Sequence, residues 1–185
     1  MKLKKINAVL ALITTAFLIC HLGYNLVTYV LFYYNPVLSM ISGILIATCF
    51  VLHGVLAVFI VIHSHDSKTV EYKKLNLRTV IQRITAAVIM VLLPFHALEM
   101  ALLSKNVGNA FYVVLEVLRF AFYLSVMLHV SLSFSNALVT LGLLGDMKKK
   151  KILDLILLIV AILFGICFGI YVTVMHLILF GVIQV

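Results

Sequence analysis

Residues 80–103, VIQRITAAVIMVLLPFHALEMALL, decide the fold. The stretch is apolar for long enough to cross a hydrocarbon core, because about 20 residues rising ~1.5 Å each span roughly 30 Å. Yet it carries Gln82 and Arg83 near one end and His96 and Glu99 near the other. Ionisable groups at membrane depth are costly, so each of them is a candidate functional residue.

The same composition recurs along the whole chain. Of 185 residues, 65% are hydrophobic and 11% charged, with a mean hydropathy of +1.25. Five apolar runs stand out, at about 6–33, 37–63, 79–104, 110–145 and 152–184. In lipid every backbone N–H and C=O needs an internal partner, so runs this long read as helices. The expected fold is an all-α membrane protein, a single domain over 1–185 built as a bundle of five transmembrane helices. The short connections leave no room for a soluble catalytic domain, which excludes most enzymes that act alone. The first run follows lysines as a signal peptide would, but it is too long and lacks a small-residue cleavage site. It reads as a retained helix.

Charge placement orients the bundle. Lys2, Lys4 and Lys5 precede the first run; Lys68, Lys73, Lys74, Arg78 and Arg83 lie between or just inside the second and third; Lys148 to Lys151 lie between the fourth and fifth. These are 12 of the 14 basic residues, all on one side of a five-span topology, with Lys105 in an opposite loop and Arg119 inside a run. The positive-inside rule then puts the N-terminus in the cytoplasm and the C-terminus outside. The net charge of +8 thus marks a membrane-facing cytoplasmic side, suited to anionic lipid or a cytoplasmic partner, and not a nucleic-acid surface. In the first outer turn, Tyr29, Tyr33 and Tyr34 suit a membrane interface. Cys20, Cys49 and Cys167 have no disulfide or zinc spacing and read as buried hydrophobes. Gly23, Gly43, Gly54 and Ala86 would let helices, or a flat cofactor, approach closely. Pro94 removes a backbone hydrogen bond to Met90 and is expected to bend the third helix before His96.

Five of the seven histidines fall within the apolar runs, one in each: His21, His53, His96, His129 and His176. A lone buried histidine is more often a satisfied structural residue or a proton relay than a ligand. One in each of four successive spans shifts that weighting, because imidazole is the common protein ligand of haem iron and a haem in a bundle needs ligands on facing helices. Depth can be counted from the outer turns. His21 lies 14 residues from Asn35 and His96 lies 10 from Asn106, or roughly 21 and 15 Å. His53 lies 17 residues from Pro36 and His129 lies 20 from Asn109, or roughly 26 and 30 Å. The four sort into a shallower pair, His21 with His96, and a deeper pair, His53 with His129. Two bis-histidine haems b stacked across the bilayer would give electrons intermediate stations, and closed coordination favours electron transfer over oxygen chemistry. His176 is expected to be structural or to lie beside a propionate. His63 and His65, two residues apart, do not share a helix face and are not expected to bind metal.

These residues resemble the five-helix, two-haem cytochrome b subunit of succinate dehydrogenase and fumarate reductase, the succinate:quinone oxidoreductases. Gln82-Arg83-Ile84-Thr85 is similar to that family's Q-R-x-T, with His96 following 13 residues after the arginine and then Glu99. His21-Leu22 with Asn25 is similar to its H-L-x-x-N, and His129 with Ser131 and the FSN at 134–136 resemble its fourth helix. Ala86 stands where the family usually has glycine. The resemblance covers the chain in helix count and histidine order. It implies that His21 and His96 hold the outer haem and His53 and His129 the inner one. It further implies a bacterial cytoplasmic membrane, with cytoplasmic flavoprotein and iron–sulfur partner subunits, in a complex that could itself be a homo-oligomer. The implied substrate is a membrane quinone, commonly menaquinone. Dicarboxylate chemistry would belong to the flavoprotein.

Three other charged residues lie in the outer half. Glu116 and Arg119, at i and i+3, form a local ion pair in the simplest reading. In the alternative, Arg119 meets a haem propionate while Glu99 or Glu116 accepts protons from quinol. Arg83 and Gln82, at the inner end, would contact propionates or a quinone headgroup. The competing readings are a bis-histidine cytochrome b that anchors another respiratory dehydrogenase or reductase, and a haem-free proton-coupled transporter or scaffold. A transporter would be expected to show repeated halves with broken helices, and no such symmetry is visible.

Overall fold

The computed structural model describes residues 2–31, 35–63, 73–102 and 109–179. They form five α-helices and, among the described residues, no strand: α1 (Lys2–Leu31), α2 (Pro36–His63), α3 (Lys73–Leu102), α4 (Asn109–Leu141) and α5 (Met147–Leu179). All five are long and apolar enough to cross a membrane. At 28 to 33 residues each, they run about 42–50 Å, longer than a hydrocarbon core. Tyr33, Tyr34, His65, Lys68, Lys105 and the side chains of Tyr29 and His176 lie outside what is described.

Helix ends follow local chemistry. Asn35 caps α2, its Oδ1 accepting from the backbone N–H of Val37 and Leu38 at 3.1 Å each. Asp146 caps α5, accepting from the Lys148 N–H at 2.7 Å. Helix α4 stops at Leu141, four residues before the apolar run ends, because Gly142 takes φ +79°. Its N–H bonds Val139 O, and the Leu143 N–H bonds Leu138 O, the paired closure of a Schellman motif that favours glycine. Helix α3 begins at Lys73, six residues ahead of its apolar run, and continues unbroken past Pro94.

The chain divides into two compact units. The first comprises residues 1–70 and 134–150 and is dominated by α1 against α2. The Tyr24 hydroxyl clamps the turn by donating to Asn35 O (2.9 Å) and accepting from the Asn35 N–H (2.8 Å). Much of α2 presents apolar side chains outward, among them Val55, Val58 and Ile62, as a face meeting lipid tails would. A Cβ placed on Gly23 or Gly43 would have nothing within 4 Å among the described residues.

The second unit comprises residues 71–133 and 151–185, hence α3, most of α4 and nearly all of α5. Its buried positions include Ile89 on α3, Leu115 and Phe122 on α4, and Phe168 and Val172 on α5. Gly169 is a true close approach, since a Cβ there would sit 3.0 Å from the Phe120 ring. Arg78 staples one end of this unit. It makes a bidentate pair with Asp154 (2.5 and 2.8 Å) and also donates to Leu132 O (2.8 and 3.1 Å), tying α3 to both α4 and α5. The cysteines correct an expectation: Cys20 and Cys167 face outward and Cys49 is only half-buried. A thiol is apolar enough to face hydrocarbon.

Candidate functional site

In the second unit, three helices converge on Arg119. Its Nη1 lies 3.3 Å from Glu99 Oε1 of α3, and its Nη2 donates to Glu116 Oε2 one turn back on α4. The same nitrogen donates to the Thr173 hydroxyl of α5 at 3.3 Å. Exposure is 2% for Arg119, 1% for Glu99 and 4% for Glu116. Charges this deeply withdrawn persist only when paired, since the desolvation of each ion amounts to several kcal/mol even after relaxation. The local Glu116–Arg119 pair is therefore present, but it is half of a larger cluster. Glu99 is brought in from a helix 20 residues away, which spacing along one helix cannot show.

His96 and Glu99, three residues apart on α3, share the face turned to α4. The His96 ring stacks on Phe122, with centroids 5.0 Å apart and planes 18° from parallel. It meets Tyr123 edge-on at 5.7 Å. The Arg119 guanidinium in turn lies 5.9 Å from the Tyr123 ring centroid, within cation–π range. Imidazole, phenol, guanidinium and carboxylates thus form one contiguous array, its guanidinium and carboxylates buried and its His96 and Tyr123 rings half-buried.

His129 sits farther along the same unit, against the start of α3. Its Nδ1 lies 3.0 Å from Gln82 O and 3.3 Å from Thr85 Oγ1. Thr85 directs its own proton to Ile81 O or Gln82 O, and a carbonyl can only accept, so Nδ1 must carry the imidazole proton. In the neutral ring the lone pair is then on Nε2. On α4, His129 is seven residues beyond Phe122, about 10 Å. The two histidines of this unit therefore lie at separate depths along it.

In the first unit, His21 is held by a directional chain. Ser42 Oγ donates to Ser39 O (2.9 Å), so toward His21 it accepts, at 3.1 Å from Nδ1. Asn25 Nδ2 donates to Nε2 at 3.1 Å. His21 thus has the same tautomer as His129, with its proton on Nδ1 and its lone pair on Nε2. His53 lies against the backbone of Asn7 near the far end of α1. Ser42 and His53 are 11 residues apart on α2, about 16 Å, so this unit too has one histidine near its turn and one well removed.

The other sequence candidates fall out differently. Arg83 is exposed. Gln82 contributes through its main-chain carbonyl to His129, a role no side-chain motif announces. His63 is exposed, stacked on Phe59 and bonded to Phe59 O. Asp154 escaped notice in the sequence, although a lone acid inside an apolar run demands a cation and could have pointed to Arg78. Comparison with known proteins finds no matching family model, no similar curated protein and no matching solved structure.

Proposed function

We propose that this chain is the di-haem b membrane anchor of a succinate dehydrogenase or fumarate reductase. It would carry electrons between membrane quinone, menaquinone in the first instance, and cytoplasmic iron–sulfur and flavoprotein subunits. The observation that supports this reading most is the anchoring of His129, whose Nδ1–H donates to Gln82 O, the arrangement by which proteins orient a histidine whose Nε2 binds metal. His21 is oriented in the same sense through Ser42, and iron at its Nε2 would take the place of the Asn25 amide.

The residues present suit the group. Four imidazoles on α1 to α4, two at different depths in each unit, supply the donors that two six-coordinate haems require. The pairs, His21 with His96 and His53 with His129, come from the depth count and the family resemblance. Haem supplies one-electron transfer when bound. The chain's own residues do the rest: Ser42 and Gln82 O fix ring orientation, Phe122 sets the plane of His96, and apolar helices exclude water. The Glu99–Arg119–Glu116 cluster places carboxylates close to His96, where they can receive protons released from quinol. The N-terminus is cytoplasmic in this reading and the membrane is the bacterial cytoplasmic membrane.

Purification of the chain from its native membrane tests the proposal. The expected result is a b-type spectrum reducible by menaquinol, with flavin- and iron–sulfur-containing subunits copurifying. A b-type spectrum with other partners would favour the anchor of a different respiratory enzyme. A chain free of haem would favour a transporter or scaffold.

A further inference from the structure

Arg83 is the charge that the clusters above leave unused. It stands six residues inside the apolar span Leu77–Glu99 of α3, about 9 Å from the Leu77 end, and it is exposed. Among the described residues it forms no ion pair or hydrogen bond. The chain has six acids. Asp154 is committed to Arg78, and Glu99 and Glu116 to Arg119. Asp66, Glu71 and Asp146 lie outside the apolar spans. Among the described residues no span therefore offers Arg83 a carboxylate of its own. A guanidinium stays protonated in proteins, and a bare charge at membrane depth is costly. Its counter-charge must come from another molecule.

The face of α3 that carries Arg83 narrows the choice. A helix turns about 100° per residue, so Arg83 points about 140° away from His96 and about 160° away from Thr85. Those two mark the side of α3 that meets α4: His96 stacks on Phe122, and Thr85 lies against His129. A propionate of a group bound by these histidines would lie across the helix from the guanidinium. On Arg83's own side, Ala87, Met90, Pro94 and Ala97 follow at i+4, i+7, i+11 and i+14, all of them exposed, an open apolar track along which an acyl chain can lie. Helical side chains lean toward the helix N-terminus, which on α3 is the Lys73 end. The guanidinium thus reaches back toward the headgroup layer, as long cationic side chains do. A phosphate there matches its planar fork and cancels its charge, whereas a neutral headgroup supplies no counter-charge. We infer that Arg83 binds the phosphate of an anionic phospholipid, with one acyl chain along Ala87, Met90 and Pro94. A headgroup of net negative charge, of the phosphatidylglycerol kind, is favoured because Lys73 and Lys74 open the same helix. The site needs no haem and is independent of the function proposed above.

The test uses the full chain in phosphatidylcholine vesicles containing phosphatidylglycerol with brominated acyl chains, which quench tryptophan on contact. The chain has no tryptophan, so an introduced one reports on its own surroundings. Val91→Trp, at an exposed position about 12 Å deeper along α3 than Arg83, reads the proposed acyl track. Val160→Trp, exposed on α5, is the distant reporter. Arg83→Gln should lower the preference for phosphatidylglycerol over phosphatidylcholine about fivefold at Val91→Trp, the scale of one basic residue at an anionic membrane surface. It should leave Val160→Trp unchanged, and Arg83→Lys, which keeps the charge, should retain most of the preference. An equal preference with and without Arg83 would overturn the inference and leave an acidic partner chain as the source of the anion. An equal loss at both reporters would reveal only a general surface-charge effect, and would overturn it as well.

Discussion

Arg119→Met removes the one described cation that touches both Glu99 and Glu116, while keeping most of the side-chain volume. The variant loses the 3.3 Å contact to Glu99, the contact to Glu116 and the hydrogen bond to Thr173. Both carboxylates stay where they are less than 5% exposed. Breaking a buried pair by deleting one partner destabilises by about 3–5 kcal/mol, mainly because the charge left behind is uncompensated. With two carboxylates left behind, we expect the upper part of that range, a large fraction of the about 5–15 kcal/mol that holds a typical domain folded. Replacing the whole cluster by apolar residues of similar size, in Arg119→Met with Glu99→Met and Glu116→Met, should recover most of the loss, to within about 2 kcal/mol of wild type, since replacing a buried ion group by hydrophobic residues of similar volume is often close to neutral. The assay is equilibrium unfolding of the purified chain in detergent, followed by circular dichroism and compared at equal haem content because ligand binding shifts apparent stability. A loss under about 1 kcal/mol in Arg119→Met would refute the view that the cluster is a coupled buried unit. So would a triple variant no more stable than the single one.

Three further perturbations follow from the same geometry. Asp154→Asn should destabilise by about 1–2 kcal/mol, the scale of a charge-assisted bidentate contact in a partly screened setting; an unchanged unfolding midpoint would mean that the Asp154 charge adds nothing to the hold on Arg78. Ser42→Ala removes the acceptor of the His21 Nδ1 proton and should weaken retention of the haem proposed at His21 by about 10–100-fold, read as haem loss on dilution in detergent; equal retention would remove His21 orientation from the scheme. Gly142→Ala should cost about 1 kcal/mol from its positive φ alone, because a Cβ there meets nothing within 4 Å among the described residues. A neutral Gly142→Ala would show that the turn has another accessible backbone conformation.

What could be read in the sequence follows the range of each interaction. Five helices were legible because lipid leaves an apolar run little choice but to be helical. The run ends were less so: apolar residues continue past Leu141, and only the left-handed Gly142 stops the helix there. The Glu116–Arg119 contact was legible because i and i+3 share a helix face. Its extension to Glu99 and Thr173 depends on how three helices rotate against one another, which near-uniform apolar surfaces do not encode in any simple period. The same holds for His129, whose anchor is a main-chain carbonyl of α3. His21 and Asn25 were legible as i, i+4 neighbours, whereas Ser42 joined them only through the fold of α1 against α2.

The most direct measurement is the haem content of the wild-type chain and of His21→Ala, His53→Ala, His96→Ala and His129→Ala, each expressed with ample haem and its native partners. Two bis-histidine sites predict about two b haems in the wild type and one in each variant. They further predict the same surviving haem spectrum in His21→Ala and His96→Ala, and the other in His53→Ala and His129→Ala. A wild-type chain without haem, or variants that all keep two, would contradict the assignment of these histidines as iron ligands.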